Sequence, residues 1–173
     1  IAPNLTFIAT LNAIKYTNAT PILLDVDENT WQINLDLLEE FLTSKTKQIN
    51  GKCRLNDDGK IIKAIVAVHV LGNMCDMIRL VKICEEYNIL LIEDAAESLG
   101  SKFKNKHSGT FGKIGCFSFN GNKIITCGGG GMIVTNDEEI AKKAKHLSTQ
   151  AKADSFEYFH DEIGYNYRLT NVS

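Results

Sequence analysis

Five runs of apolar, β-branched and aromatic residues recur along the chain: PILLDVD (21–27), IIKAIVAVHV (61–70), ILLIED (89–94), IGCFSF (114–119) and GMIVTN (131–136). The second to fourth are continuous rather than alternating, the pattern of strands covered on both faces, as in a parallel sheet. Helix-period segments lie between several of them. NLDLLEEFLTS opens with Asn34 as N-cap, and DMIRLVKICEEYN opens with Asp76 and sets Met77, Leu80, Val81 and Cys84 on one face. NDEEIAKKAKHL places Asn136 and Glu139 at capping-box spacing and gathers its lysines toward the C-terminal end, where they complement the helix dipole. The opening TFIATLNAIKY reads as a further helix capped by Thr6 or Asn4, and GKCRLNDDGK (51–60) as a polar turn. Strands alternating with helices predict an α/β layer structure with a mostly parallel sheet. No repeat, low-complexity tract or linker interrupts the pattern, so one domain is expected.

Composition narrows the classes of partner. At 173 residues, with 44% hydrophobic and 23% charged positions, the chain is an ordinary globular one able to bury a core. A net charge of −2 gives no electrostatic reason to expect nucleic acid or an anionic membrane. No apolar run approaches the roughly 18 residues that span a bilayer, and no signal-peptide pattern opens the chain. The five cysteines, Cys53, Cys75, Cys84, Cys116 and Cys127, form no CxxC pair or His/Cys cluster, so reduced thiols in a cytoplasmic protein, with no metal, are expected. The start at Ile1 without methionine and the stop at Ser173 in mid-pattern suggest a piece of something longer.

The candidate chemistry centres on FSFNGNKIITCGGGGMIVTND (117–137), where Lys123 lies between two strand-like runs and ahead of Gly128 to Gly131. A lysine fixed there, beside glycines that let a ligand approach the backbone, suits a covalent Schiff-base anchor, provided burial or a neighbouring cation lowers its pKa. The plain alternative is an exposed turn lysine. Asp94 closes ILLIED at a strand's carboxyl end, where ligands collect in open α/β sheets. It serves either as a helix N-cap or as a site carboxylate, and pyridoxal phosphate (PLP) enzymes hold the pyridinium nitrogen against such a group. Ser118, five residues before Lys123, is a phosphate contact or a serine tucked into a strand. Phe7 either stacks on a flat cofactor or fills a helix face. His69, ending IVAVHV at the same rim, reads as a hydrogen-bonded structural imidazole ahead of a catalyst. The glycine run is neither a P-loop, since Met132 follows it, nor a dinucleotide fingerprint.

Together these pieces resemble the DegT/DnrJ/EryC1/StrS family of PLP-dependent sugar aminotransferases. The resemblance runs end to end through APNLTFIATLNAI, ATPILLDVD, VHVLGNMCDM, IEDAAESLGS, SGTFGKIGCFSFNGNKIITCGGGGMIVTND and DEIGYNYRLTN. It implies the fold-type I (aspartate aminotransferase-like) large domain, with residues 1–173 as its central part and with an upstream phosphate loop and a C-terminal small domain lacking. NGNKIIT, the glycine run and HLSTQAK are most similar to the branch acting on nucleotide-linked 4-keto-6-deoxy-hexosamines, as in bacillosamine- and legionaminic-acid-type sugars.

The resemblance also implies residue roles. Lys123 matches the Schiff-base lysine that shuttles protons, and Asp94 the carboxylate on the pyridine nitrogen. Glu97 stands where many relatives have glutamine, near the phenolic oxygen; a carboxylate donates no hydrogen bond unless protonated. Ser118 matches a phosphate contact, and Phe7 the stacking aromatic. Asn166, in GYNYR after the loop-like SFEYFHDEIG, matches a residue reaching the phosphate of the neighbouring subunit's cofactor, so a homodimer with shared sites is implied. Cys127 stands where threonine is common. The implied reaction moves an amino group from L-glutamate to C4 of a nucleotide-linked keto sugar, with UDP, GDP and CMP left open. The related dehydratases carry histidine in place of Lys123. A folded or dimerising piece without turnover is the alternative for the 173 residues alone.

Overall fold

Parallel strands need crossovers, which the chain makes with helices and, in one case, with a short hairpin. The computed structural model describes residues 1–154 and 156–173; Ser155, the first residue of the SFEYFHDEIG stretch, lies outside them. The elements run β1 (Ala2–Pro3), α1 (Ile8–Tyr16), β2 (Leu23–Leu24), α2 (Leu35–Lys45), β3 (Thr46–Ile49), β4 (Lys52–Leu55), β5 (Ala64–Val68), a 3₁₀ turn (Val70–Gly72) and α3 (Met77–Glu86). They continue as β6 (Leu90–Asp94), β7 (Lys102–Phe103), β8 (Lys106–His107), β9 (Ile114–Ser118), β10 (Gly131–Val134) and α4 (Glu138–Ser148). The main sheet has the order β10-β9-β6-β5. Strands β5, β6 and β9 are parallel, and β10 returns antiparallel on the edge. This is the α/β, mostly parallel sheet flanked by helices that the sequence pattern predicts.

Two predicted caps are in place. Asn34 accepts from the amides of Asp36 and Leu37, and Asp76 from those of Ile78 and Arg79. Two others are corrected. At α4 the capping side chain is Asp137 rather than Asn136, accepting from Glu139 N and Ile140 N. At α1 the N-cap is Phe7, with no side-chain hydrogen bond; the Thr6 hydroxyl is turned toward Thr10 instead, at 2.9 Å.

The remaining differences concern short strands. PILLDVD contributes only β2, paired with β1, because the chain then turns through Asp27–Thr30. GKCRLNDDGK is not simply a turn: Lys52–Leu55 is β4, folded back on β3 across Asn50-Gly51. Both turn residues have positive φ, 51° and 68°, as a two-residue hairpin loop demands. The β7–β8 hairpin had no predicted counterpart.

Alternate side chains of a strand point to opposite faces. Ile65, Ala67 and Leu91 join the core with Leu38 and Leu42 of α2 and Met77, Leu80 and Ile83 of α3. Val66, Ile92 and Asp94 face the other way and line a cleft beside α1 of about 1330 Å³. The continuous apolar strands are therefore packed by helices on one face and border this cleft on the other. Among the described residues no helix is long and apolar enough to cross a membrane.

Candidate functional site

Register brings the chemistry to one edge. Val68 pairs with Asp94, and Asp94 with Cys116, so the three parallel strands end together at their carboxyl ends. Ser118 lies two residues beyond Cys116 on the same face, and the antiparallel return pairs Ser118 with Gly131. The loop between β9 and β10, carrying Lys123, is thereby tethered at both ends beside Asp94. Phe7, Asp94, Glu97, Ser118 and Lys123 all line the cleft.

Each polar group there is held. Asp94 accepts from the Thr10 hydroxyl on Oδ2 at 2.5 Å and from Ala96 N on Oδ1 at 3.1 Å. Lys123 follows a tight turn, its amide donating to the Asn120 carbonyl at 3.0 Å. Its side chain is 14% exposed, and Nζ stands 3.4 Å from Oε1 of Glu97. The other carboxylate oxygen of Glu97 accepts from Leu71 N at 2.9 Å. Leu71 has φ 54°, a conformation a leucine adopts only at a cost. Ser118 Oγ accepts from Asn120 N at 3.3 Å; its own proton meets no acceptor among the described residues. Phe7 is 73% exposed at the cleft rim.

A half-buried amine, a carboxylate held by two donors, a hydroxyl with a free proton and an exposed aromatic ring suit PLP. The donor set matches an aldehyde-bearing pyridine with one phosphate: amine for aldehyde, carboxylate for ring nitrogen, hydroxyl for phosphate. Cys116, the thiol paired with Asp94, is raised by burial and then by the Asp94 charge. It stays protonated and does not compete with the amine as nucleophile.

The neighbouring acid, Glu93, points to the opposite face and does different work. It is fully buried and accepts from Gly109 N, Phe111 N, Gly112 N and His69 Nε2 at 2.6–2.9 Å. His69 is therefore the structural imidazole of the two sequence alternatives, facing away from the cleft. Burial pushes Glu93 up, but the His69 imidazole and the Gly112 and Gly109 amides outweigh it and hold the carboxyl below the ordinary 4.5. A depressed folded-state pKa stabilises the fold above the unfolded value and loses that stabilisation as pH falls through the folded one. Glu93→Gln is accordingly expected to cost about 3 kcal/mol at pH 7. The gap in Tm between it and wild type should hold above the unfolded carboxylate value, about 4.3, and narrow as pH falls through the lower folded-state pKa. Thermal melts of both across pH 3–7 check this, and a gap independent of pH contradicts it.

The glycines act differently along their run. A Cβ on Gly128 or Gly129 would meet nothing within 4 Å, whereas one on Gly130, at φ 101°, would lie 2.3 Å from Leu169 Cδ2. The close approach at Gly130 is made by the protein's own chain. Cys127 Sγ donates to the Gly129 carbonyl at 2.7 Å, as a threonine hydroxyl would.

Asn166 is not in the cleft. It forms an isolated bridge with Thr149, is flanked in sequence by Tyr165 and Tyr167, whose rings stack on each other, and is exposed. Sequence reasoning missed Thr10 and Glu93. Glu93 carried a signal, being an acid inside a buried strand; Thr10 carried none.

The model of the DegT/DnrJ/EryC1/StrS aminotransferase family matches residues 1–173. The chain is 47% identical over 172 residues to the GDP-perosamine synthase of Escherichia coli O157:H7, covering 99% of itself and 43% of that protein. It superposes with a TM-score of 0.86 on a DegT DnrJ EryC1 StrS aminotransferase from Brucella abortus, at 31% identity, covering 99% of itself and 43% of that chain. Helicobacter pylori PseC, an aminotransferase involved in the biosynthesis of pseudoaminic acid, gives 0.82 at 29% identity, with coverages of 99% and 42%. The PLP form of Spr1654 from Streptococcus pneumoniae gives 0.78 at 26% identity, with coverages of 99% and 45%. The chain thus spans less than half the length of the relatives it matches.

Proposed function

The chain belongs to the DegT/DnrJ/EryC1/StrS aminotransferase family, and on that premise we propose that the whole protein is a PLP-dependent nucleotide-sugar aminotransferase. It converts a nucleotide-linked 4-keto-6-deoxy-hexosamine to the 4-amino sugar with L-glutamate as donor. Residues 1–173 form the central part of its cofactor-binding large domain. The observation that carries this reading is the cleft in which Lys123, Asp94, Ser118, Glu97 and Phe7 converge. PLP, when bound, supplies the electron sink for the carbon that gains or loses the amino group.

The chain's own residues do the rest. Lys123 anchors the cofactor and then, as a free amine, moves a proton to or from the reacting carbon. Asp94 Oδ1 and Oδ2 hold negative charge at the ring nitrogen and keep it protonated. Ser118 Oγ donates to the phosphate, and Phe7 packs on the ring. Glu97, an acceptor already engaged by Leu71 N, orients the Lys123 amine rather than donating to the phenolic oxygen.

Purified whole protein, given PLP, L-glutamate and either a UDP- or a GDP-linked 4-keto-6-deoxy-hexosamine, should release 2-oxoglutarate and an amino sugar in equal amounts. Product with neither sugar overturns the substrate class. The GDP arm is included because one similar protein is named a GDP-perosamine synthase.

A homodimer with shared sites is part of the same reading. Asn166 is exposed and outside its own cleft, in the segment that reaches the partner, and a two-fold axis makes the exchange mutual. Whole-protein Lys123→Ala mixed with Asn166→Ala should regain activity above the sum of the two alone, since one site per heterodimer is native. No recovery in verified heterodimers contradicts sharing.

A further inference from the structure

Thr10 sits 84 residues from Asp94 in sequence, is 7% exposed, and brings its hydroxyl 2.5 Å from Asp94 Oδ2. We infer that Thr10 is a positioning residue that keeps the proton on the cofactor's ring nitrogen rather than on Asp94; this rests on the PLP reading above. An ionised carboxylate only accepts, so Thr10 is the donor. Its single proton is then spent, and Thr6 Oγ1, 2.9 Å away, must be the donor to Thr10. The other use of the Thr6 proton, the Phe7 carbonyl at 3.3 Å, is the longer contact. Two hydroxyls thus form an ordered relay, Thr6 to Thr10 to Asp94, each polarising the next.

The consequence falls on the ring nitrogen. Thr10 and the Ala96 amide each donate to one Asp94 oxygen and so fix where the carboxylate presents its charge to a facing N–H. Without the Thr10 hydroxyl the carboxylate loses one of its two fixed donors, and its pairing with the ring N–H weakens. The electron sink weakens although every group that touches the cofactor is still present. Thr10 itself sits in the first turn of α1, where its amide donates to the Phe7 carbonyl at 3.2 Å. The same turn therefore fixes the carboxylate and carries the ring at the cleft rim.

The test uses the whole protein loaded with PLP carrying ¹⁵N at the ring nitrogen, whose chemical shift reports its protonation. Wild type should show a protonated nitrogen. Thr10→Val, equal in shape but without a donor, should move the signal toward the unprotonated value, and Thr10→Ser should restore it. The kcat of Thr10→Val should fall about tenfold or more with KM for glutamate nearly unchanged. Thr6→Val, which leaves the Thr10–Asp94 bond in place, should shift the signal the same way by less. A signal unchanged from wild type in Thr10→Val, or in Thr6→Val should Thr10→Val fail to fold, overturns the inference and leaves the cofactor reading intact. Wild-type protein that takes up no labelled cofactor overturns the reading itself.

Discussion

Replacing Lys123 by alanine in the whole protein is expected to lower transamination by about 10³-fold or more while leaving the fold intact. Two losses combine. The covalent anchor goes, and with it the positioned amine that serves as proton carrier, itself worth about 10²–10⁴-fold. The fold is indifferent because Lys123 lies in a loop and makes one long contact, 3.4 Å to Glu97. The strands on either side are held by the β9–β10 ladder, which does not involve its side chain. Turnover with glutamate and keto sugar, set beside thermal melting of the cofactor-free proteins, checks both halves. Near-normal turnover would remove Lys123 from the mechanism. A collapse in Tm would make it a structural residue.

Asp94→Asn is expected to lower kcat by about 10²–10³-fold, the usual cost of removing one preorganised group that stabilises developing charge. Asparagine preserves the size of the side chain: its Oδ1 can accept from Ala96 N and its Nδ2 can donate to the Thr10 hydroxyl, which reverses its role, so both local contacts of Asp94 keep a partner. Folding should therefore change little, with Tm within about 3 °C of wild type. What it cannot supply is a negative charge at the ring nitrogen, and so the electron sink weakens. Measured kcat and Tm separate the two accounts of Asp94 left open by the sequence. A large fall in Tm with kcat preserved would make it a cap of the turn that follows β6.

The sheet and two of its helices were legible in the sequence because their signals are local. Asn34 and Asp76 cap helices by bonding amides two and three residues on, within reach of any pattern reading. The cap of α4 shifted by one residue because Asn136 and Asp137 are both able caps, and Asp137 is also held by Lys113, the residue just before β9, at 2.7 Å. The β3–β4 hairpin had a signal in Asn50-Gly51. Its second strand was hidden because KCRL, followed by polar residues, looks like a turn. The β7–β8 hairpin turns through Lys104 and Asn105, both at positive φ without a glycine, so composition does not announce it.

The cleft was legible to the same degree. Asp94 and Ser118 stand at strand ends and Lys123 in the loop that follows β9, where topology alone collects them. Glu93 and Asp94 are neighbours in sequence yet face opposite sides of the sheet, and only the strand's phase separates the structural acid from the site acid. Thr10 could not be found, since nothing in TFIATLNAIKY marks a hydroxyl that meets a carboxylate 84 residues later.

The central claim is that Lys123 is the residue to which the cofactor is joined. Borohydride treatment of the whole protein loaded with PLP fixes the cofactor irreversibly to the amine that holds it, and peptide mapping by mass spectrometry then reads the position. Stoichiometric pyridoxyl label on the peptide containing Lys123, absent from Lys123→Ala, is the expected result. Label on any other lysine, or none on a protein that turns over its substrate, would contradict the claim.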